Sequence, residues 1–162
     1  MTVSMMLKNG FTVGKFLPLH KGHQLLIETA LREVEHLTVL VYDTPPDAQP
    51  PVEVRAQWIR KLYPQVEVIE ARNVPTDRGY TEAIQQKHEA FIMSYVGDQK
   101  MDAFYSSEPY GERMSKTLGC INRVVDIERN LVRISGTEIR DNLEFYKEFL
   151  DPLVYNTMKG IK

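Results

Sequence analysis

Short β-branched apolar runs alternate with segments of helical period along this chain, and that alternation restricts its fold more than any other feature. Phe11 to Gly14 reads as a first strand. From Gly22 to Glu35 the residues Ile27, Ala30, Leu31 and Val34 recur at helical spacing and form one apolar face. Leu37 to Tyr42 is a nearly continuous apolar run, as expected of a strand covered on both sides. A proline-rich loop, Pro45 to Pro51, leads into a second helix with Val52, Ala56, Ile59 and Tyr63 on its core side. Val66 to Ile69 is strand-like, and a loop with Asn73, Pro75 and Gly79 follows. Ile84, His88, Phe91, Ile92 and Tyr95 then line a longer helix, with His88 read as a helix residue without catalytic duty. Ala103 to Ser106 and Arg123 to Asp126 are the remaining strands, and helical patterns fill the chain from Thr137 onward.

Alternation of this kind implies right-handed βαβ crossovers, hence an α/β protein with a parallel sheet and helices on both faces. Ligands in such folds bind beyond the carboxyl ends of the strands, where loops lead into helices. A length of 162 residues fits a single domain spanning 1–162, with enough core to need no disulfide or structural metal. The formal charge of -2 offers no overall field for nucleic acid. A single cysteine, Cys120, fits a reducing cytoplasm, and no run of apolar residues reaches a membrane span. The partners expected are therefore small molecules, with no nucleic acid and no membrane, and a homo-oligomer left open.

The first strand-to-helix loop is the most unusual stretch. Gly14-Lys15-Phe16-Leu17-Pro18-Leu19-His20-Lys21-Gly22-His23 packs two glycines, two lysines and two histidines between a strand and a helix. The helix N-terminus supplies unpaired N–H groups and partial positive charge, a seat for phosphate. Imidazole N–H groups add donors. No cysteine or carboxylate in the segment completes a metal set, so no metal ligands are assigned. The spacing is not that of a P-loop. Read alone, either histidine is equally well an ordinary turn or cap residue.

A second constellation lies about a hundred residues later, Ile134-Ser135-Gly136-Thr137-Glu138-Ile139-Arg140. Ser135 and Thr137 are N-cap candidates, and Arg140 follows one helical turn on. Hydroxyls, helix N–H groups and a planar fork of donors make a second anion site.

These two segments resemble the signatures of the HxGH nucleotidyltransferases, G-x-F-x-P-x-H-x-G-H and I-S-x-T-x-x-R. The resemblance implies a Rossmann-like fold and transfer of a nucleotidyl group. Ser106 to Glu112 and Asp126 to Arg129 are similar to regions of the nicotinamide mononucleotide adenylyltransferases. The similarity is to the adenylyltransferase domain of the bifunctional enzymes that also carry a ribosylnicotinamide kinase. Kinase and repressor activities are not expected of this chain.

On that resemblance ATP, with Mg²⁺, is bound by Gly14, Phe16, His20, Gly22, His23, Ser107, Glu108, Tyr110, Gly111, Ile134, Ser135, Thr137 and Arg140. Lys15, His20, His23 and Arg140 are the catalytic set. The acceptor, nicotinamide mononucleotide, is expected against Phe16, Leu17, Arg55, Trp58 and Asn73. Trp58 and Arg55 lie to one side of the second helix's apolar stripe, so an indole stacked on the nicotinamide and a packed, structural indole are equal readings. Phosphopantetheine, riboflavin phosphate or an alcohol phosphate are alternative acceptors, and a nucleotide sensor without turnover is the alternative of another class.

Overall fold

The structure, a computed structural model, describes residues 6–126 and 134–161. Five strands form one sheet in the order β3-β2-β1-β4-β5, all parallel. They are β1 (Leu7–Gly14), β2 (Val34–Tyr42), β3 (Glu67–Ala71), β4 (Ala103–Ser106) and β5 (Ile121–Val124). Helices α1 (Lys21–Glu33), α2 (Val52–Leu62), α3 (Glu82–Val96) and α4 (Tyr110–Leu118) alternate with them, and α5 (Gly136–Asp141) and α6 (Pro152–Lys159) follow. This is the α/β parallel sheet expected from the alternation and the Rossmann-like fold that the resemblance implied.

The sheet separates two apolar clusters, and β2 shows why. Its side chains alternate, so Leu37, Val39 and Val41 enter the cluster under α1, α2 and α6. Leu40 and Tyr42 enter the cluster under α3 and α4. Ala103 and Tyr105 of β4 point to the first side and Phe104 to the second. Burying each large apolar side chain contributes about 1.5–3 kcal/mol. Both faces are thus needed to hold the strands flat against their helices.

Strand order reverses at β1. From β1 the chain winds outward to β2 and β3, then returns across the opposite face through α3 to β4, on the other side of β1. The loops leaving β1 and β4 therefore diverge and leave a crevice at their carboxyl ends.

Several boundaries differ from expectation. Val34 opens β2 instead of closing α1, because its main-chain N–H caps the helix while its own φ/ψ is extended. β1 begins at Leu7, four residues early, since Leu7 pairs with Val34. β5 lies two residues before its expected position. Helix α4 has no counterpart in the sequence reading. Tyr110, Met114 and Leu118, spaced four apart, pack it on the α3-side cluster, a stripe confined to nine residues and opened by Pro109 and Gly111. Among the described residues, no helix is long and apolar enough to cross a membrane.

Candidate active site

The loop after β1 turns because Phe16 adopts φ +51°, a left-handed conformation that few non-glycine residues take. Its ring packs back over Gly14, where a Cβ would sit 2.9 Å from the ring. Gly14 is thus required by close approach. The buried Phe16 ring then meets His23 edge-on, with centroids 4.9 Å apart.

Helix α1 starts with an imidazole capping box. Nδ1 of His20 accepts from the Gly22 N–H at 3.1 Å, and Nδ1 of His23 accepts from the His20 N–H at 3.1 Å. The two rings stack with centroids 3.7 Å apart. Because each Nδ1 accepts, the proton of each neutral ring resides on Nε2. The cap therefore fixes the tautomer that offers an Nε2–H donor. Two main-chain donors of the helix end are satisfied in the same arrangement.

Helix α5 brings the second segment alongside. Ser135 caps it by accepting from the Glu138 N–H at 3.3 Å. The Arg140 guanidinium donates to the main-chain oxygen of Leu17 and, at 3.3 Å, to Thr137 Oγ1. Gly136 lies against the same Leu17 carbonyl, which a Cβ would approach to 2.7 Å. The two segments thus meet across the crevice.

Two adjoining cavities result. One of about 170 Å³ lies among His20, His23, Ser107, Glu108, Asp126 and Ser135. The other, about 420 Å³, runs along Gly14, Lys15, Leu17, His23, Thr137 and Arg140. Lys15 has its ammonium pKa pushed down, first by burial and then by the charges of Arg78, Arg140 and Arg55. Three cations around one lysine create a local positive field within a chain of net charge -2.

Beyond Lys15 a third cavity of about 360 Å³ opens on the α3 side of the sheet. Tyr42, Tyr80, His88, Phe104 and Tyr110 line it, and Val13, Lys15, Ser106 and Glu108 are shared with the preceding cavity. His88 spans its wall. A carbonyl only accepts, so His88 Nε2–H donates to Asp77 O at 3.0 Å, and its neutral Nδ1 receives the Tyr42 hydroxyl at 3.1 Å.

Most expected site residues come together here. Gly14, Lys15, Phe16, Leu17, His20, Gly22, His23, Ser107, Glu108, Ser135, Thr137 and Arg140 line the first two cavities. Others do not. Ile134 is buried in the core. Gly111 allows α4 to pack on Ser106, whose Oγ a Cβ would strike. Tyr110 faces the third cavity. Asn73 is exposed at φ +61° and lines none of the three.

The second-helix pair is corrected outright. Trp58 is 2% exposed in the core, its indole N–H directed at Thr157 Oγ1 of α6 at 3.3 Å. Arg55 is fully buried and donates to three carbonyls, Pro50 at 2.9 Å, Lys15 at 2.6 Å and Tyr42 at 3.1 Å. Helix α6 closes over the side of α2 that the wheel left open, which no local pattern announces.

Sequence reading also missed Asp126, which borders the smaller cavity at φ +50°. It missed the aromatic third cavity as well, although Tyr42 and Ser106 stand at strand carboxyl ends, where the fold rule looks. Residues 127–129 of the second similar region, and so most of it, lie outside the described residues. Among the described residues no cluster of three His, Cys, Asp or Glu could hold a metal. Glu108 and Asp126 are the carboxylates at the smaller cavity.

The cytidylyltransferase-like family model matches residues 11–142. The chain belongs to that family. It is therefore a nucleotidyltransferase, as both signature segments imply. Among curated cytidylyltransferase-like relatives, a probable nicotinate-nucleotide adenylyltransferase of Thermotoga petrophila is 26% identical over 172 residues, covering 85% of this chain and 86% of that protein. The trifunctional NAD biosynthesis/regulator protein NadR of Salmonella typhimurium is 30% identical over 158 residues, covering 87% of this chain but 38% of the relative. Two solved structures share the fold at a TM-score of 0.64. A NadR protein in complex with NAD and AMP-PNP is 19% identical, over 91% of this chain and 45% of its own. A bifunctional NMN adenylyltransferase/ADP ribose pyrophosphatase of Francisella tularensis, complexed with AMP and a manganese ion, is 20% identical, over 96% and 49%. The chain thus spans less than half of each of those two structures' chains.

Proposed function

We propose that this nucleotidyltransferase transfers AMP from ATP to nicotinamide mononucleotide, giving NAD and pyrophosphate. The observation that carries the reading is the junction at Lys15, where a cavity walled by phosphate-binding groups meets one walled by aromatic rings. The first suits a triphosphate and the second a flat heterocycle. Their shared wall at Lys15 sets the acceptor's phosphate beside the α-phosphorus. The acceptor's base is accordingly placed against Tyr80 and Tyr110, in place of Trp58 and Asn73.

The chemistry asks for no general base, because a phosphate monoester is already ionised near neutral pH. Catalysis rests on alignment for in-line attack and on neutralising charge as pyrophosphate leaves. The Nε2–H of His20 and of His23 donate to phosphate oxygens. Lys15 and Arg140 flank the triphosphate, and Ser135 and Thr137 supply hydroxyls for its outer phosphates. A divalent cation, Mg²⁺ in this reading, would supply positive charge that neutralises the phosphates. Glu108 and Asp126 fit that ion as hard-oxygen donors at the smaller cavity, since Mg²⁺ takes few protein ligands. The reading implies a cytoplasmic enzyme of NAD biosynthesis, matching the pathway named for the relatives.

The test is an acceptor panel with Mg–ATP, assayed for pyrophosphate: nicotinamide mononucleotide, nicotinate mononucleotide, phosphopantetheine, riboflavin phosphate and an alcohol phosphate. Release with the first alone or foremost supports the proposal. Release foremost with a non-pyridine acceptor overturns it.

A further inference from the structure

We infer that Arg55 is a positioning residue that holds the triphosphate seat and the acceptor seat in one register. The inference rests on the proposed phosphate role of Lys15. The Arg55 side chain comes from α2, outside the crevice, and is wholly shielded from solvent. Its planar fork reaches three separate segments at once, through Nε to Pro50 O in the loop before α2 and through one terminal nitrogen to both Lys15 O, just after β1, and Tyr42 O, at the end of β2. Lys15 belongs to the phosphate cavity and the aromatic cavity, while Tyr42 belongs to the aromatic cavity and carries the hydrogen bond to His88. One buried group thus fixes the backbone beneath both seats.

Energetics favour a positioning duty over simple packing. A buried guanidinium is costly unless its donors are met. Its second terminal nitrogen lacks a hydrogen-bond partner and lies 3.7 Å from an Asp43 carboxylate oxygen. A residue kept there only to fill space would be more stable as an apolar side chain of similar volume. What an apolar side chain could not do is hold the carbonyls of Lys15 and Tyr42, which end adjacent parallel strands, at a fixed spacing. Lysine at this position keeps the charge but has no planar fork to span these three carbonyls.

The experiment measures Mg–ATP affinity by calorimetry, and kcat, for the parent, Arg55→Lys, Lys15→Ala and the double variant. Val154→Ala, a core truncation in α6, serves as a control of matched thermal stability. Arg55→Lys is expected to lose roughly 10²-fold in kcat, the penalty of an ångström-scale misplacement, while remaining folded at the assay temperature. Val154→Ala retains parental kcat. The Lys15→Ala loss, large in the parent, shrinks to within about threefold in the Arg55→Lys background, because the two residues act as a unit. Equal Lys15→Ala penalties in both backgrounds, or parental kcat in folded Arg55→Lys, overturns the inference. Should Arg55→Lys fail to fold, replacing Phe16 by phenyllactic acid turns the Lys15–Phe16 amide into an ester. That change weakens the Lys15 carbonyl as acceptor and removes the Phe16 N–H without altering any side chain, and an unchanged kcat would then overturn the inference. A chain that binds Mg–ATP but transfers to no mononucleotide ends the proposed function, whereas this inference is still decided by the ATP affinities: the Lys15→Ala loss of Mg–ATP affinity is expected to shrink in the Arg55→Lys background, and an equal loss in both backgrounds overturns it.

Discussion

The main-chain N–H of His20 donates to Nδ1 of His23 at 3.1 Å, so one imidazole both completes the capping box of α1 and walls the smaller cavity. Structure and chemistry are separable at this residue because they use opposite ring nitrogens. Nδ1 serves the helix end, and Nε2 is the nitrogen that the proposed function assigns to the substrate.

His23→Ala is expected to lower kcat by roughly 10²–10³, the cost of one transition-state donor. It should also lose about 1 kcal/mol of stability with the cap. His23→Asn keeps a short side-chain acceptor for the His20 N–H, so it should recover stability without recovering turnover. Steady-state kinetics beside thermal melts would check this, and near-parental kcat in folded His23→Ala would refute it.

Arg140→Lys tests the planar fork. The guanidinium joins Leu17 O to Thr137 Oγ1 and so links the two signature segments. An ammonium cannot span both, so kcat/KM for ATP should fall in Arg140→Lys nearly as far as in Arg140→Ala. Retention of parental ATP use by both variants would remove Arg140 from the site.

Lys15 sets an alkaline limit. Burial, then Arg78, Arg140 and Arg55, lower its pKa, so its positive charge is lost at lower pH than for an ordinary lysine. If charged Lys15 is needed, activity declines as pH rises through that depressed value. Arg78→Ala removes the largest neighbouring charge contribution, which raises the Lys15 pKa and moves the alkaline limb of kcat to higher pH. A pH–rate profile that does not move, in an otherwise active Arg78→Ala protein, contradicts the assignment.

Acceptor seating separates Tyr80 from Trp58. Tyr80 is 91% exposed at the edge of the aromatic cavity, so its ring face is open to a flat acceptor. Tyr80→Ala should raise the KM for nicotinamide mononucleotide and leave that for ATP nearly unchanged. Trp58 is the only tryptophan and is buried in the core. Its emission should therefore stay nearly constant during an acceptor titration, and Trp58→Ala should cost about 3–5 kcal/mol of stability. Saturable quenching with no stability loss in Trp58→Ala would return the indole to the acceptor site.

What the sequence alone determined was local in origin. The parallel α/β class followed from alternating periods, and the crevice position followed from that class. Gly14, His20, Gly22 and His23 were legible because one short segment specifies both a turn and a helix start. Ser135, Thr137 and Arg140 were legible for the same reason. Tertiary structure decided everything that depends on which faces meet. Helical spacing left Trp58 and Arg55 beside the apolar stripe, but α6, nearly a hundred residues later, packs over Trp58 and supplies Thr157 Oγ1 as the acceptor for its indole N–H. Arg55 turns inward because the carbonyl of Pro50, in the loop before α2, converges there with those of Lys15 and Tyr42 at the ends of the adjacent strands β1 and β2. The aromatic cavity likewise joins residues of β2, α3, β4 and α4. No periodicity carries such information, since hydrophobic pattern reports that a face is buried and never which element buries it.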